Sequence, residues 1–278
     1  MIFYKPAVGY LEEHAVDPDK RRYAVKNEAP RHYIDLDHYG SFPYDSLPRS
    51  WAAALAKYGA DTLQAYGIVP WWLQIMASRL RNAFLAKDRN RILRLSAELG
   101  HYIADAHVPL HATRNHNGQY TGQRGIHGFW ESRIPELLAE KEWDFVIGKA
   151  AYLPNTSQYM WQRIMESGVA ADSVLRLERE LAASFPPDQR FAFEERNGVL
   201  LRQYSTAYTI AYDAVMKGMV ERRMRQSVYA VACFWYTCWV NAGQPDLGKL
   251  LGERPDPVAD EAFERLNQAW QSGGGGEH

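Results

Sequence analysis

The sequence predicts an all-α fold: a single domain of packed helices with a metal cluster in a cleft between them. Three observations carry this expectation. Ile92, Leu95, Leu99 and Ile103 recur at helical spacing and make one apolar stripe. Strand-type alternation of apolar and polar residues is nearly absent along the 278 residues. Five side chains of metal-ligating type, His101, Asp105, His111, His127 and Glu131, fall in one short stretch.

The elements follow in order. Residues 1–50 are polar and punctuated by proline, which reads as a short helix near the start and then an ordered loop. A helix is expected over 50–66, with Ser50 as N-cap and Gly67 as its stop. Another fits 70–86, with Pro70 in its first turn. Asp88 or Asn90 caps the next, which carries RILRLSAELGHYIADAH and is ended by Pro109. Residues 112–125 are rich in Asn, Gly and Thr and read as a loop. His127 opens another helix over GFWESRIPELLAE. Further helices are expected at about 157–184, with a break allowed near Gly168, and from about 198 to 239. Neither an internal repeat nor a linker is visible. One domain is therefore expected over 1–252, followed by a polar tail over 253–278 that Gly273–Gly276 makes flexible at its end.

Composition narrows the function classes. The formal net charge is -1, whereas a dedicated duplex binder is usually basic. Nine Trp and seventeen Tyr can fill a core or line a cleft. Cys233 and Cys238 are five apart on a predicted helix and point in different directions, which reads as two buried thiols and not a disulfide. No apolar run is long enough to span a membrane, and Met1-Ile2-Phe3-Tyr4 lacks the features of a signal peptide. Taken literally, the sequence reads as soluble and not exported, with no obligate protein partner evident.

The chemistry lies in spacing. His101 and Asp105 are four apart, as are His127 and Glu131, and residues four apart on a helix share a face. His111 follows Val108-Pro109, just past the first of these helices. Imidazole and carboxylate are the ligands zinc takes when no thiolate is offered. Upstream, Asp17, His32 and Asp35 supply more groups of the same kind.

These residues resemble the signature of the zinc-dependent phospholipase C superfamily, which also contains the single-strand-specific zinc nucleases. The signature is an Asp, a His about fifteen residues later in a His-aromatic-x-Asp context, then His-x-x-x-Asp-x-x-x-x-x-His, a loop, and His-x-x-x-Glu or His-x-x-x-Asp. Here the matching positions are Asp17, His32, His101, Asp105, His111, His127 and Glu131, within residues 14–135. The resemblance implies an all-α fold and one zinc on Asp17, His32, His101 and Asp105. It implies a second on His111, His127 and Glu131, with Asp105 bridging towards a third and Asp17 able to accept a proton. In the family the third zinc is held by an N-terminal Trp and a nearby His. Only sixteen residues precede Asp17 and none is Trp. Either the natural beginning is lacking, the favoured reading, or this is a two-metal variant.

The function expected from the resemblance is a zinc metallohydrolase of phosphoester bonds, phospholipase C-like. The alternatives are a single-strand nuclease or nucleotidase of the same superfamily, or an inactive metal-stabilised binding protein. The family is typically secreted or periplasmic. Glu131 is the phospholipase form of the last ligand, yet the positions of a choline cage hold Pro18 and Ala29. Tyr33, Trp71, Trp72, Phe129 and Trp130 offer lipid or base contacts or core packing, and Arg124 offers a phosphate contact. Asp35 and Asp37 are in place to orient His32, while His14, His38, His107, His116 and Glu98 match no ligand position.

Overall fold

Two long helices joined by a two-residue turn carry the first apolar face. α5 (Val69–Ala86) starts with Pro70 in its first turn and ends at Lys87, which takes a left-handed φ of 53°. α6 (Arg89–Asp105) follows at once, and the Asp88 side chain accepts a hydrogen bond from the Arg91 N–H at 3.0 Å. Ile92, Leu99 and Ile103 are fully buried along it, as the stripe predicts. The computed structural model describes residues 2–196 and 198–251, residue 196 by its backbone alone. The expected tail over 253–278 lies outside the described residues.

Shorter pieces precede this pair: α1 (Val8–His14), α2 (Asp17–Arg21), α3 (Trp51–Tyr58) and α4 (Ala60–Ala65). The single helix expected over 50–66 is therefore two. Gly59 lies between them with φ 76°, a conformation that breaks a right-handed helix. After α6 come a 3₁₀ turn (Pro109–Ala112), an irregular loop, α7 (Ile126–Gly128), a π turn (Phe129–Arg133) and α8 (Ile134–Glu142). α9 (Thr156–Ser184) runs without a break through Gly168. This glycine is a packing residue: a Cβ there would lie 2.8 Å from Leu36 Cδ1 and 2.9 Å from Tyr44 Oη.

The continuous helix expected over 198–239 is replaced by three elements. An antiparallel hairpin pairs β1 (Phe191–Arg196) with β2 (Val199–Tyr204) in a register from Phe191↔Tyr204 to Arg196↔Val199. α10 (Thr206–Met216) and α11 (Met219–Asn241) follow, separated by left-handed Lys217 and Gly218. The Asn197-Gly198 dipeptide between two apolar-rich segments was the available hairpin signal. Both cysteines are buried free thiols on α11.

The packed helices enclose two apolar clusters. The larger joins α5, α6 and α11 to the first half of α9, through residues such as Leu73, Leu99, Phe234 and Ile164. The smaller gathers Phe129, Trp130, Val174, Tyr208 and Tyr212 around the segment 126–142, α9 and α10. Residues 110–112 straddle the two: Leu110 belongs to the smaller and Ala112 to the larger. Arg223, buried on α11, fixes this region by donating from Nε to the His107 carbonyl at 2.9 Å and from Nη2 to the Arg163 carbonyl at 3.0 Å.

Gly168→Val should lower unfolding stability by about 1–3 kcal/mol, because the new side chain must displace Leu36 or Tyr44. Urea titration reads this directly. An unchanged midpoint would mean that residues 36–44 do not pack on α9 as described.

Candidate metal centre

His101 and Asp105 stand one turn apart on α6 and point together. His101 Nε2 lies 3.3 Å from Asp105 Oδ2. His32 enters from the loop before α3, with Nδ1 2.9 Å from the same Asp105 oxygen and 3.2 Å from His101 Nε2. Asp19, on α2, completes the group: its Oδ1 is 3.6 Å from His32 Nδ1 and 3.6 Å from His101 Nε2.

A second group forms beside it. His111 comes from the 3₁₀ turn, His127 from α7 and Glu131 from the π turn. His127 Nε2 is 3.1 Å from His111 Nε2 and 3.1 Å from Glu131 Oε2, and His111 Nε2 is 3.6 Å from that oxygen. The π turn keeps Glu131 over His127, and such turns recur at functional sites. His111 Nδ1 donates to the His32 carbonyl at 2.8 Å, and His127 Nδ1 donates to the His116 carbonyl at 3.2 Å. With both Nδ1 atoms committed as donors, the two Nε2 atoms bring lone pairs face to face. That contact is repulsive unless a proton or a metal cation lies between them.

Asp19, His32 and His101 could hold one metal ion, with Asp105 against the two rings, and His111, His127 and Glu131 could hold another. A tetrahedral ion bonded at ~2.0–2.1 Å sets its ligand atoms roughly 3.3–3.4 Å apart, and carboxylate–imidazole sets of this kind are the ones such ions take. The separations of 3.1–3.6 Å among His111, His127 and Glu131 bracket that spacing. The donor chemistry fits as well, since neither group includes an ammonium or guanidinium.

Burial opposes charge throughout, and the partners decide the outcome. His111 is desolvated, yet Asp105 and Glu131 raise it to about 9. Burial pushes Glu131 upward, but His127 and His111 outweigh it and hold the carboxyl far below its ordinary range. Asp105 is likewise lowered, against burial, by His101, His111 and His32. His101 is raised because Asp105 and Asp19 outweigh desolvation, whereas for His32 desolvation wins and lowers it. Asp105 thus acts electrostatically on both groups.

The structure corrects the sequence expectation at Asp17. Its Oδ2 accepts from His14 Nδ1 at 2.7 Å and its Oδ1 from Lys20 Nζ at 3.3 Å, so it braces α1 against α2. Residues two apart on a helix face nearly opposite ways. Asp17 and Asp19 therefore cannot both face the centre, and Asp19 does. His32, His101 and Asp105 come together in the first group, and His111, His127 and Glu131 in the second. Asp35 and Asp37 do not orient His32: Asp37 accepts from Thr113 Oγ1 and the Arg114 N–H. Glu28, buried and four residues before His32, approaches His32 Nε2 at 3.8 Å and is held by Tyr102 Oη and Arg31. Glu98 pairs with Arg21 at 2.9 Å. Trp71, Trp72, Phe129 and Trp130 are core residues, and Arg124 is exposed on the loop, away from the cleft lining.

A cleft of about 510 Å³ opens onto His32, His111 and His127. Its walls include Tyr33, Tyr66, Asp35, Arg22 and Arg114. Burial and the neighbouring Asp37 raise Asp35 to about 7. A tight backbone approach shapes this wall. Gly67, at φ 88°, sits where a Cβ would be 2.1 Å from the Tyr33 carbonyl oxygen, and Asp35 N–H donates to the Tyr66 carbonyl at 2.8 Å.

Compared with family models, curated proteins and solved structures, the chain matches none. The assignment of the site therefore rests on its geometry.

Asp19→Asn should remove metal from the first group, while Asp17→Asn should leave metal content intact and lower stability. Elemental analysis of the two purified variants decides between them. Loss of metal from Asp17→Asn alone would reinstate Asp17 as the ligand.

Proposed function

We propose that the chain is a zinc-dependent phosphoester hydrolase, phospholipase C-like in chemistry. The observation that carries this reading is the pair of adjoining His/carboxylate groups opening onto one cleft whose wall bears two arginines. Asp19, His32, His101 and Asp105 would hold one ion, and His111, His127 and Glu131 the other. The second set offers three protein ligands, the number typical of a catalytic zinc, which keeps a position open. When bound, zinc lowers the pKa of a coordinated water to ~7 and polarises phosphoryl oxygens.

The chain's own residues supply the rest. Arg22 and Arg114 face the cleft, where their guanidinium groups can hold phosphate oxygens. Arg114 is steadied by Asp37, 3.6 Å from its Nε. Asp35, raised to about 7, can accept and release a proton near neutral pH at the cleft wall. The carbonyls of His32 and His116 fix the ring orientation of His111 and His127. A nuclease or nucleotidase reading is favoured by one feature: Tyr33 and Tyr66 give the cleft aromatic surface on which a base could stack.

With zinc supplied, the protein should hydrolyse bis(p-nitrophenyl) phosphate, and His127→Ala should reduce the rate by about a hundredfold or more. Activity that survives both chelation and this substitution would refute the metal reading. Zinc binding without turnover would leave a binding protein. Phospholipids assayed against single-stranded DNA separate the two enzyme readings.

Asp105 should matter more than Glu131. It lies against His32 and His101 and also acts on His111, whereas Glu131 serves one group. Asp105→Asn should therefore lose more metal than Glu131→Gln. Equal loss from the two variants would count against a shared role.

A further inference from the structure

The hairpin β1–β2 is fixed at its base and bare at its tip. At the base, Tyr204 stacks on Phe129 with ring centroids 3.8 Å apart. Arg133, buried in the π turn that carries Glu131, donates from Nε to the Tyr204 carbonyl at 3.3 Å and pairs with Glu194. Gln203 Nε2 also donates to Glu194 at 2.7 Å. The ribbon is thus bolted to the segment that presents Glu131.

Around these bonds the ribbon exposes four apolar side chains: Phe193 is 67% exposed, Val199 56%, Leu200 65% and Leu201 43%. Register distributes them over both faces. Phe193 and Leu200 share one face, with Arg202 and Glu195 as their cross-strand partners. Val199 and Leu201 share the other. A protein packed on a sheet covers one face. A bilayer surrounds the whole ribbon. The two apolar faces therefore favour lipid. Charge agrees: Arg196 and Arg202 stand against Glu195, while the charge of Glu194 is met by Arg133. From the Glu194–Leu201 rung to the turn the strands rise about 7–10 Å. That reach matches the ~5–10 Å to which an apolar face enters the boundary between headgroups and acyl chains.

We propose that this hairpin docks the protein on a phospholipid membrane, with Val199, Leu200 and Leu201 seated among the acyl chains and Phe193 and Arg202, one rung nearer the base, at the level of the headgroups. Lipid is then the substrate class of the adjoining site. That last step rests on the hydrolase reading, whereas the docking itself does not.

The test uses the full chain and vesicles of phosphatidylcholine, with and without phosphatidylglycerol. Sedimentation should show wild-type binding that strengthens with the anionic lipid. The double variant Phe193→Ser with Leu200→Asp should bind about tenfold or more weakly. It should hydrolyse bis(p-nitrophenyl) phosphate at the wild-type rate, which also shows that it folds. Leu200→Trp should hold or raise binding, because tryptophan favours the membrane interface. The proposal is overturned if the wild type does not bind vesicles, if the double variant binds as well as the wild type, or if Leu200→Trp abolishes binding. It is also overturned if the double variant loses only self-association, which would assign the hairpin to contacts between copies. Hairpin-dependent binding without lipid cleavage supports docking while refuting the phospholipase reading.

Discussion

The centre depends on a reciprocal strap between two distant segments. The His111 ring donates to the carbonyl of His32, and the His111 carbonyl accepts from the N–H of Ile34 at 2.9 Å. These two bonds join residues almost eighty positions apart. They also bring the two ligand groups together, since His32 belongs to one and His111 to the other. The ring's bond also fixes Nδ1 as a donor, which leaves Nε2 as the nitrogen that faces His127 and Glu131. Without the strap, α6 would still present His101 and Asp105, but to a half-built site.

Around the strap the protein concentrates charge where burial disfavours it. Asp105 lies at the C-terminal end of α6, where the helix dipole is itself negative. A carboxylate there is unfavourable unless cationic or hydrogen-bonding groups stand close, and His101 and His111 supply charge while His32 donates from Nδ1. Glu131 is held in the same way by two imidazoles. The polar centre thus compensates its own desolvation.

Much of this was legible in the sequence, and what was not has identifiable causes. The stripe on α6 and the two i,i+4 pairs gave the helical character and four of the residues that converge, because helical spacing is a local property; His111 followed from its place just past α6, and His32 from the resemblance. Asp17 was implied as a ligand by the resemblance alone, and spacing could not have separated it from Asp19. Both are plausible by distance along the chain, and only the docking of a five-residue helix decides which one faces inward. Glu28 was hidden for a related reason: its burial depends on Tyr102 and Arg31, neither marked by any pattern. The hairpin was masked by apolar residues on both of its faces, which blur the period-two alternation that marks a half-buried strand. Gly168 carries the opposite lesson. A glycine in a helix suggests a break, yet here it permits close approach by Leu36 and Tyr44.

The seam between the two apolar clusters has a thermodynamic consequence. Residues 110–112 touch both clusters, and the ligands are drawn from both sides. A cation bound there would tie together segments packed on both clusters, so the stability of the fold would become a function of free ion concentration. The protein would then have no single intrinsic melting temperature. Its melting point would follow the composition of the medium, higher where the ion is abundant and lower where it is scarce.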